Sequence, residues 1–311
     1  MRRTSSRIAA GVGIAAGAVV ATAAIVAPRR GDSYVDARWQ RLRGHRYAHR
    51  GLHDATLGIP ENSLAAFQRA HDLGFGAELD VHLTVEGKLA VIHDSNTRRM
   101  CGTALSVQKS TLAQLRDLTL AGTGERIPPL DEVLELFEFD AASDDPEPAP
   151  LIVEVKTDSA GWARVAELCE KTMAALDAHT VSYCVESFDP RVLVWLRRHR
   201  PEVVRGQLSR DFLRDGGLGP DAPRDLAATV MAGNVFARPD FVAYKFADRR
   251  TPAADLVVRG LGAKPVYWTI RSPEDLVTCE SEGGVGIFEG FVPASCRSGE
   301  DATPRRGQPQ K

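Results

Sequence analysis

The sequence predicts an α/β protein, a closed (β/α)8 TIM barrel with a small insertion after its second strand and a transmembrane helix ahead of it. Three observations carry this reading. Eight short apolar runs alternate with stretches of helical spacing, which argues for a parallel sheet and, at eight strands, for closure. Polar, titratable residues fall at or near the ends of these runs, where barrel proteins keep their chemistry. A long uncharged segment precedes the first run.

At 311 residues the chain is long enough for one large domain with tails. Lysine and arginine number 39 against 41 aspartate and glutamate, a net charge of −2, so there is no electrostatic footprint for nucleic acid. A hydrophobic content of 43% suits a packed globular fold. The five cysteines, Cys101, Cys169, Cys184, Cys279 and Cys296, are odd in number and widely spaced, so neither a disulfide framework nor a zinc ribbon is indicated. They read as buried free thiols. Nothing in the sequence fixes an oligomeric state.

Arg2, Arg3 and Arg7 precede an uncharged run, residues 8–27, about long enough for one bilayer crossing as a helix. The expectation is an N-terminal membrane segment over 1–30, retained as a single-pass anchor. Cleavage as a signal peptide, giving a secreted protein, is the alternative. Basic residues flank both sides (Arg29, Arg30 and Arg38 on the far one), so the positive-inside rule leaves orientation open. Residues 31–44 read as a polar juxtamembrane linker, 45–296 as the barrel domain, and 297–311 as a disordered tail.

Expected strands cover 46–49, 77–81, 151–155, 181–185, 204–207, 241–244, 265–270 and 285–288. Helices begin at start signals: Asn62-Ser63 before Leu64, Gly161 before Trp162, Asp189-Pro190, and Ser272-Pro273-Glu274-Asp275. A further strand, LAVIHD, ends at His93-Asp94 and opens the insertion, about 94–130. Residues 140–150 form an acidic, proline-rich loop.

In GAELDV, Glu78 and Asp80 lie two apart, so strand alternation points both carboxylates to one face and Leu79 and Val81 to the other. LIVEVK repeats the spacing with Glu154 and Lys156. Taken alone, such pairs are ordinary surface carboxylates or an intrastrand ion pair; together at one end of neighbouring strands they define a site. Three carboxylates in one mouth repel and need a cation, and an oxygen-rich set suits one hard divalent ion, Mg²⁺ or Ca²⁺. Zinc stays open, because His49 and His93 are possible ligands.

Arg50 and Lys156 supply a planar fork and a point charge suited to phosphate. Two imidazoles, His49 and His93, match phosphodiester hydrolysis, in which one group takes a proton from the nucleophile and another gives one to the leaving alkoxide. His71, His179 and His199 read as solvated or capping residues. His82, on the Asp80 face, and His53, in the first loop, are candidates for the site rim.

At these residues the sequence resembles the glycerophosphodiester phosphodiesterase family. The resemblance rests on HRG (49–51), PENS (60–63), LGFGAELDV (73–81), the stretch ending GKLAVIHD (87–94), PPLDEVLE (128–135), IVEVK (152–156), SFDP (187–190) and VYWTI (266–270). It implies a barrel with one bound Ca²⁺ or Mg²⁺ that hydrolyses glycerophosphodiesters to glycerol 3-phosphate and an alcohol. By position it makes His49 and His93 the acid/base pair, Arg50 and Lys156 phosphate ligands, and Glu78, Asp80 and Glu154 metal ligands. Glu61 of the PENS motif would lie near the site, and Trp268 would line the glycerol pocket. The last strand departs from the family: GGVGIFEGFVP (283–293) replaces its usual acidic pattern, and Arg271 follows WTI where asparagine is common. Other substrates for the same site are lysophospholipids, cell-wall polymers of glycerol phosphate and inositol lipids. A non-enzymatic sensor of phosphate ligands at the membrane is the remaining alternative.

Overall fold

The computed structural model describes residues 33–139, 147–158, 160–216 and 220–298. Its strands are β1 (Tyr47–Ala48), β2 (Gly76–Leu83), β3 (Leu89–Val91), β4 (Leu151–Val155), β5 (Tyr183–Ser187), β6 (Arg205–Ser209), β7 (Phe241–Lys245), β8 (Lys264–Ile270) and β9 (Val285–Phe288). All but β3 run parallel, and β1 pairs with both β2 and β9, which closes an eight-stranded barrel. Every one of the eight expected barrel strands overlaps one of these.

Strand alternation sorts the side chains into two shells. Tyr47, Ile152, Cys184, Phe241, Val266 and Ile287 fill the barrel interior. Leu79, Val81, Val153 and Val155 face outward and pack on helices such as Trp162–Ala178 and Pro190–His199. These helices begin where the sequence signals placed them, with Asp189 accepting from the Arg191 N–H and Ser272 from the Asp275 N–H.

The stretch expected to be a juxtamembrane linker is instead largely a helix, Ser33–Arg43. It closes the barrel floor: Trp39 stacks on Phe241 at 5.6 Å between centroids, and the Tyr47 hydroxyl donates to the Leu42 carbonyl at 2.7 Å. Burying Trp39 and Leu42 there contributes roughly 1.5–3 kcal/mol each, which outweighs the polar character of their neighbours. Asp36 pairs with Lys264 at the start of β8, so this helix lies at the N-terminal ends of the strands, opposite the mouth.

β3 lies outside the barrel, antiparallel to β2. Beyond it the insertion builds its own small core from Ile92, Met100, Val107, Leu115, Leu120 and Ile127. At the other end of the chain, Arg297 bridges to His45 and the Ser298 N–H donates to the Gly44 carbonyl, so the first two residues of the expected tail belong to the packed domain. The expected anchor at 8–27 and the rest of the tail lie outside the described residues. Among those described, no helix is long and apolar enough to cross a membrane.

Candidate active site

The carboxylates come together because β2 and β4 are neighbours in register, with Asp80 opposite Glu154 and Glu78 opposite Ile152. One oxygen from each of Glu78, Asp80 and Glu154 lies within 4.8 Å of the others, and all three residues are buried. Lys156, just past β4, places Nζ 2.7 Å from Glu154 Oε2 and 3.0 Å from Asp80 Oδ1. Burial pushes Glu78 well above the ordinary carboxylate range, helped by the charges of Asp80 and Glu154. Burial also lifts Glu154 to about 7 against the pull of Lys156. For Asp80 burial is outweighed by Lys156, His93 and Arg50 and by a hydrogen bond from Asn62, so its carboxyl is held far below the usual range.

These residues fit a hard divalent cation. Against three buried carboxylates stand two cations, Lys156 beside Glu154 and Asp80 and Arg50 with Nε 3.5 Å from Asp80 Oδ2, and Asp80 Oδ1 accepts no hydrogen bond. Oxygen donors with an unmatched negative charge are the donor set of Ca²⁺ or Mg²⁺.

Both imidazoles are oriented by a carboxylate. His49 Nδ1 lies 2.7 Å from Glu289 Oε2, which turns Nε2 toward Glu78, 3.9 Å away. His93 Nδ1 lies 2.7 Å from Asp94 Oδ1. A carboxylate at Nδ1 selects the tautomer with the proton on that nitrogen and leaves Nε2 for chemistry. Burial lowers the pKa of both rings, opposed by Glu289 at His49 and by Asp80 at His93. Both are therefore neutral near pH 7.

The HRG motif ends in Gly51 for a steric reason. Its φ is +77°, and a Cβ there would lie 2.8 Å from the Cβ of Ala66. Arg50, also at positive φ (56°), donates its backbone N–H to Glu78 Oε2 at 3.0 Å and its guanidinium to Glu61 Oε1 at 2.8 Å. The PENS motif then divides its work. Glu61 holds Arg50, Asn62 donates to Asp80 Oδ2 at 2.8 Å, and Ser63 caps the Leu64–Asp72 helix. Arg99, from the insertion, donates to both Glu61 and Asp94 and so ties the carboxylate that holds Arg50 to the one behind His93.

A cavity of about 430 Å³ opens over this cluster, lined by His49, Arg50, Glu78, His93, Glu154 and Lys156, with Trp268, Phe188 and Phe212 on its apolar side. A second cavity, about 660 Å³, shares Glu154, Lys156, Phe188, Leu208 and Phe212 with it and continues past Val155, Pro190 and Met231. The expected rim residues Glu61, His82 and His53 do not line the cavity. His82 is fully buried, with Nε2 3.1 Å from the His93 carbonyl and Nδ1 3.2 Å from Asp158, because β2 extends beyond the barrel into the ribbon with β3. His71, His179 and His199 lie outside the cavity, against Phe137, Glu138 and Trp195. Three cysteines are buried as expected, while Cys101 and Cys296 are half-exposed.

Sequence reasoning missed Glu289, which orients His49, and Glu186, a buried carboxylate of β5 that lines the cavity. Glu186 carried a signal: it precedes SFDP on the strand beside β4 and stands in register with Glu154.

Barrel and mouth define a class: a (β/α)8 protein whose strand ends gather two oriented imidazoles, a carboxylate cluster and an arginine–lysine pair. More specifically, the chain belongs to the Glycerophosphoryl diester phosphodiesterase family, whose model matches residues 49–291. It is 45% identical over 98 residues to a glycerophosphodiester phosphodiesterase of Caldanaerobacter subterraneus, a match covering 29% of this chain and 39% of that protein. The first curated relatives are thus matched over about two fifths of their length. Among solved structures it resembles a glycerophosphoryl diester phosphodiesterase of Silicibacter pomeroyi at TM-score 0.64 and 26% identity, over 81% of this chain and 93% of that one. An Oleispira antarctica phosphodiesterase, solved with the product sn-glycerol-3-phosphate, shares the fold at TM-score 0.61 and 21% identity, over 81% and 94% of the two chains.

Proposed function

We propose that the protein hydrolyses glycerophosphodiesters to glycerol 3-phosphate and an alcohol, using His49 and His93 as the acid/base pair and a divalent cation, Ca²⁺ or Mg²⁺. The observation that carries this reading is the convergence at one cavity of two carboxylate-oriented imidazoles, Arg50 with Lys156, and Glu78 and Glu154 of a buried three-carboxylate cluster completed by Asp80. Family membership and the product held by the Oleispira relative support the substrate class.

Glu78, Asp80 and Glu154 would hold the cation, which when bound supplies Lewis-acid charge to the phosphoryl oxygens. Arg50 and Lys156 neutralise the remaining charge on those oxygens, Arg50 as a fork braced by Glu61. One imidazole, neutral because burial lowers its pKa, removes a proton from the attacking water through Nε2. The other delivers a proton to the departing alkoxide, and the carboxylate at Nδ1 stabilises the charged ring while it carries that proton. Glycerol 3-phosphate release from glycerophosphocholine tests the reading. Wild type should release it, with His49→Ala and His93→Ala each slower by at least about 10²-fold; normal turnover by both variants would sink the proposal.

A second reading, hydrolysis of lysophospholipids, draws on the adjoining 660 Å³ cavity, whose Val155, Pro190, Phe212 and Met231 offer an apolar path for an acyl chain. Comparing lysophosphatidylcholine with glycerophosphocholine separates the two. For localisation we propose that residues 8–27 tether the protein to a membrane. Residues 28–32 reach at most about 18 Å, and the helix that follows them closes the barrel floor, so such a tether would hold the mouth away from the bilayer and favour water-soluble diesters. Membrane fractionation of the full chain against a chain starting at residue 31 tests this; equal partitioning of both removes the tether.

A further inference from the structure

Glu186 is the carboxylate lining the catalytic cavity to which the acid/base, phosphate and cation readings give no task; Arg210 lines the cavity as well. It lies on β5 with its Cα in register with Glu154 on one side and Gly206 on the other. The residue is 1% exposed, yet its Oε2 has no hydrogen-bond partner. Its neighbours in the mouth are committed: Asp80 to Asn62 and Lys156, Glu154 to Lys156, Glu78 to the Arg50 N–H, Glu289 to His49. Nor does Glu186 belong to the set of carboxylates close enough to share a cation, which is Glu78, Asp80 and Glu154.

Two residues past Glu186, at Phe188, the cavity has an apolar wall. Phe188 packs edge-on against Phe212 at 6.1 Å and against Trp268 at 5.7 Å, and Leu208 and Ile287 complete the wall. A buried oxygen without a partner is costly, and in a binding cavity it marks the place where a ligand supplies the missing hydrogen bond. One oxygen beside aromatic faces matches a small polyol, whose C–H surface packs on rings while a hydroxyl reaches the carboxyl group. It does not match the phosphoryl group, an anion that suits Arg50 and Lys156 and is repelled by a carboxylate.

We propose that Glu186 is the specificity residue for the glycerol end of the substrate, hydrogen bonding to a hydroxyl of the glycerol moiety that remains on phosphorus. This rests on the glycerophosphodiester reading above and makes a narrower claim: the enzyme distinguishes a glycerol ester from other phosphodiesters through this side chain.

The test uses full-length wild type, Glu186→Leu and Glu186→Gln with Ca²⁺ present. Glycerol 3-phosphate and inorganic phosphate are titrated calorimetrically, and kcat/KM is measured for glycerophosphocholine and for bis(4-nitrophenyl) phosphate, which has no glycerol. Glu186→Leu should weaken glycerol 3-phosphate binding and lower kcat/KM on glycerophosphocholine by roughly 10- to 100-fold, mainly through KM, while phosphate binding and the aryl diester change by less than about 3-fold. Glu186→Gln, whose amide still offers a donor and an acceptor, should stay within about 5-fold on every measure. Should Glu186→Leu not fold, Glu186→Ala takes its place under the same expectations. Equal losses on glycerol-containing and glycerol-free ligands, or a tenfold drop in Ca²⁺ affinity accompanying them, overturn the proposal and make Glu186 a support of the cation site. Wild type that hydrolyses glycerophosphocholine while Glu186→Leu matches it overturns this inference alone; wild type that neither hydrolyses the diester nor binds glycerol 3-phosphate overturns the functional reading as well.

Discussion

Replacing Glu154 by glutamine should remove one share of the pH dependence of stability in the cation-free protein, the shares of the raised carboxyls of Glu78 and Glu186 remaining. Burial lifts this carboxyl from its ordinary 4.5 to about 7, with Lys156 opposing and Asp80 reinforcing the rise. A group raised in the folded state contributes stability that is fully present below its unfolded pKa and lost as pH climbs through the folded one. The window is therefore pH 4.5 to about 7, and a rise of that size corresponds to roughly 3 kcal/mol. The lowered pKa values of His49 and His93 act oppositely, costing stability as pH falls below their ordinary 6.5, but they are common to both proteins and cancel in the difference. Urea unfolding in EDTA at pH 5, 6, 7 and 8 gives the comparison: wild type should lose about 3 kcal/mol relative to Glu154→Gln between the ends of the series. Adding Ca²⁺ at a hundred times its pH 8 dissociation constant should restore about 2.7 kcal/mol to wild type at pH 8 and less at pH 5, where Glu78 and Glu154 are protonated. Parallel stability curves for the two proteins would refute the argument that these carboxylates are held together against their own charge.

Glu289→Ala should lower kcat by roughly 10²-fold with little change in KM, and should move the acid limb of the pH–rate profile to lower pH, because the carboxylate that raises the pKa of His49 is gone. An unchanged kcat would remove Glu289 from the account. Asn62→Ala takes away a hydrogen bond to Asp80, and Ca²⁺ titration should show affinity reduced by about 10-fold or more. Gly51→Ala forces a Cβ against Ala66 at positive φ and should destabilise the fold by about 1–3 kcal/mol in thermal unfolding, with activity falling as Arg50 shifts.

Much of the site was legible because strand alternation is a strict rule. Two residues apart on one strand means one face, so Glu78 with Asp80 and Glu154 with Lys156 announced a shared mouth once β2 and β4 were neighbours. The misses come from strand ends. The strand expected over 181–185 was to stop at Val185, whereas β5 runs to Ser187, and those two residues hid Glu186. Glu289 lies one residue past β9, and its role depends on β9 pairing back to β1, a contact no local pattern encodes. His82 shares the parity of Asp80, but β2 leaves the barrel before reaching it, so parity alone assigned it to a rim it does not occupy. The Ser33–Arg43 helix was hidden by composition: two apolar anchors, Trp39 and Leu42, among polar residues look like a linker until a barrel floor is there to receive them.

The claim that this mouth hydrolyses glycerophosphodiesters with a cation on its buried carboxylates is tested most directly by glycerol 3-phosphate release from glycerophosphocholine, before and after EDTA and again after Ca²⁺ or Mg²⁺ is returned. The account predicts release that EDTA abolishes and that either or both ions restore in wild type, with no restoration in Asp80→Asn. Turnover that persists undiminished in EDTA, or equal restoration in the Asp80 variant, would contradict it.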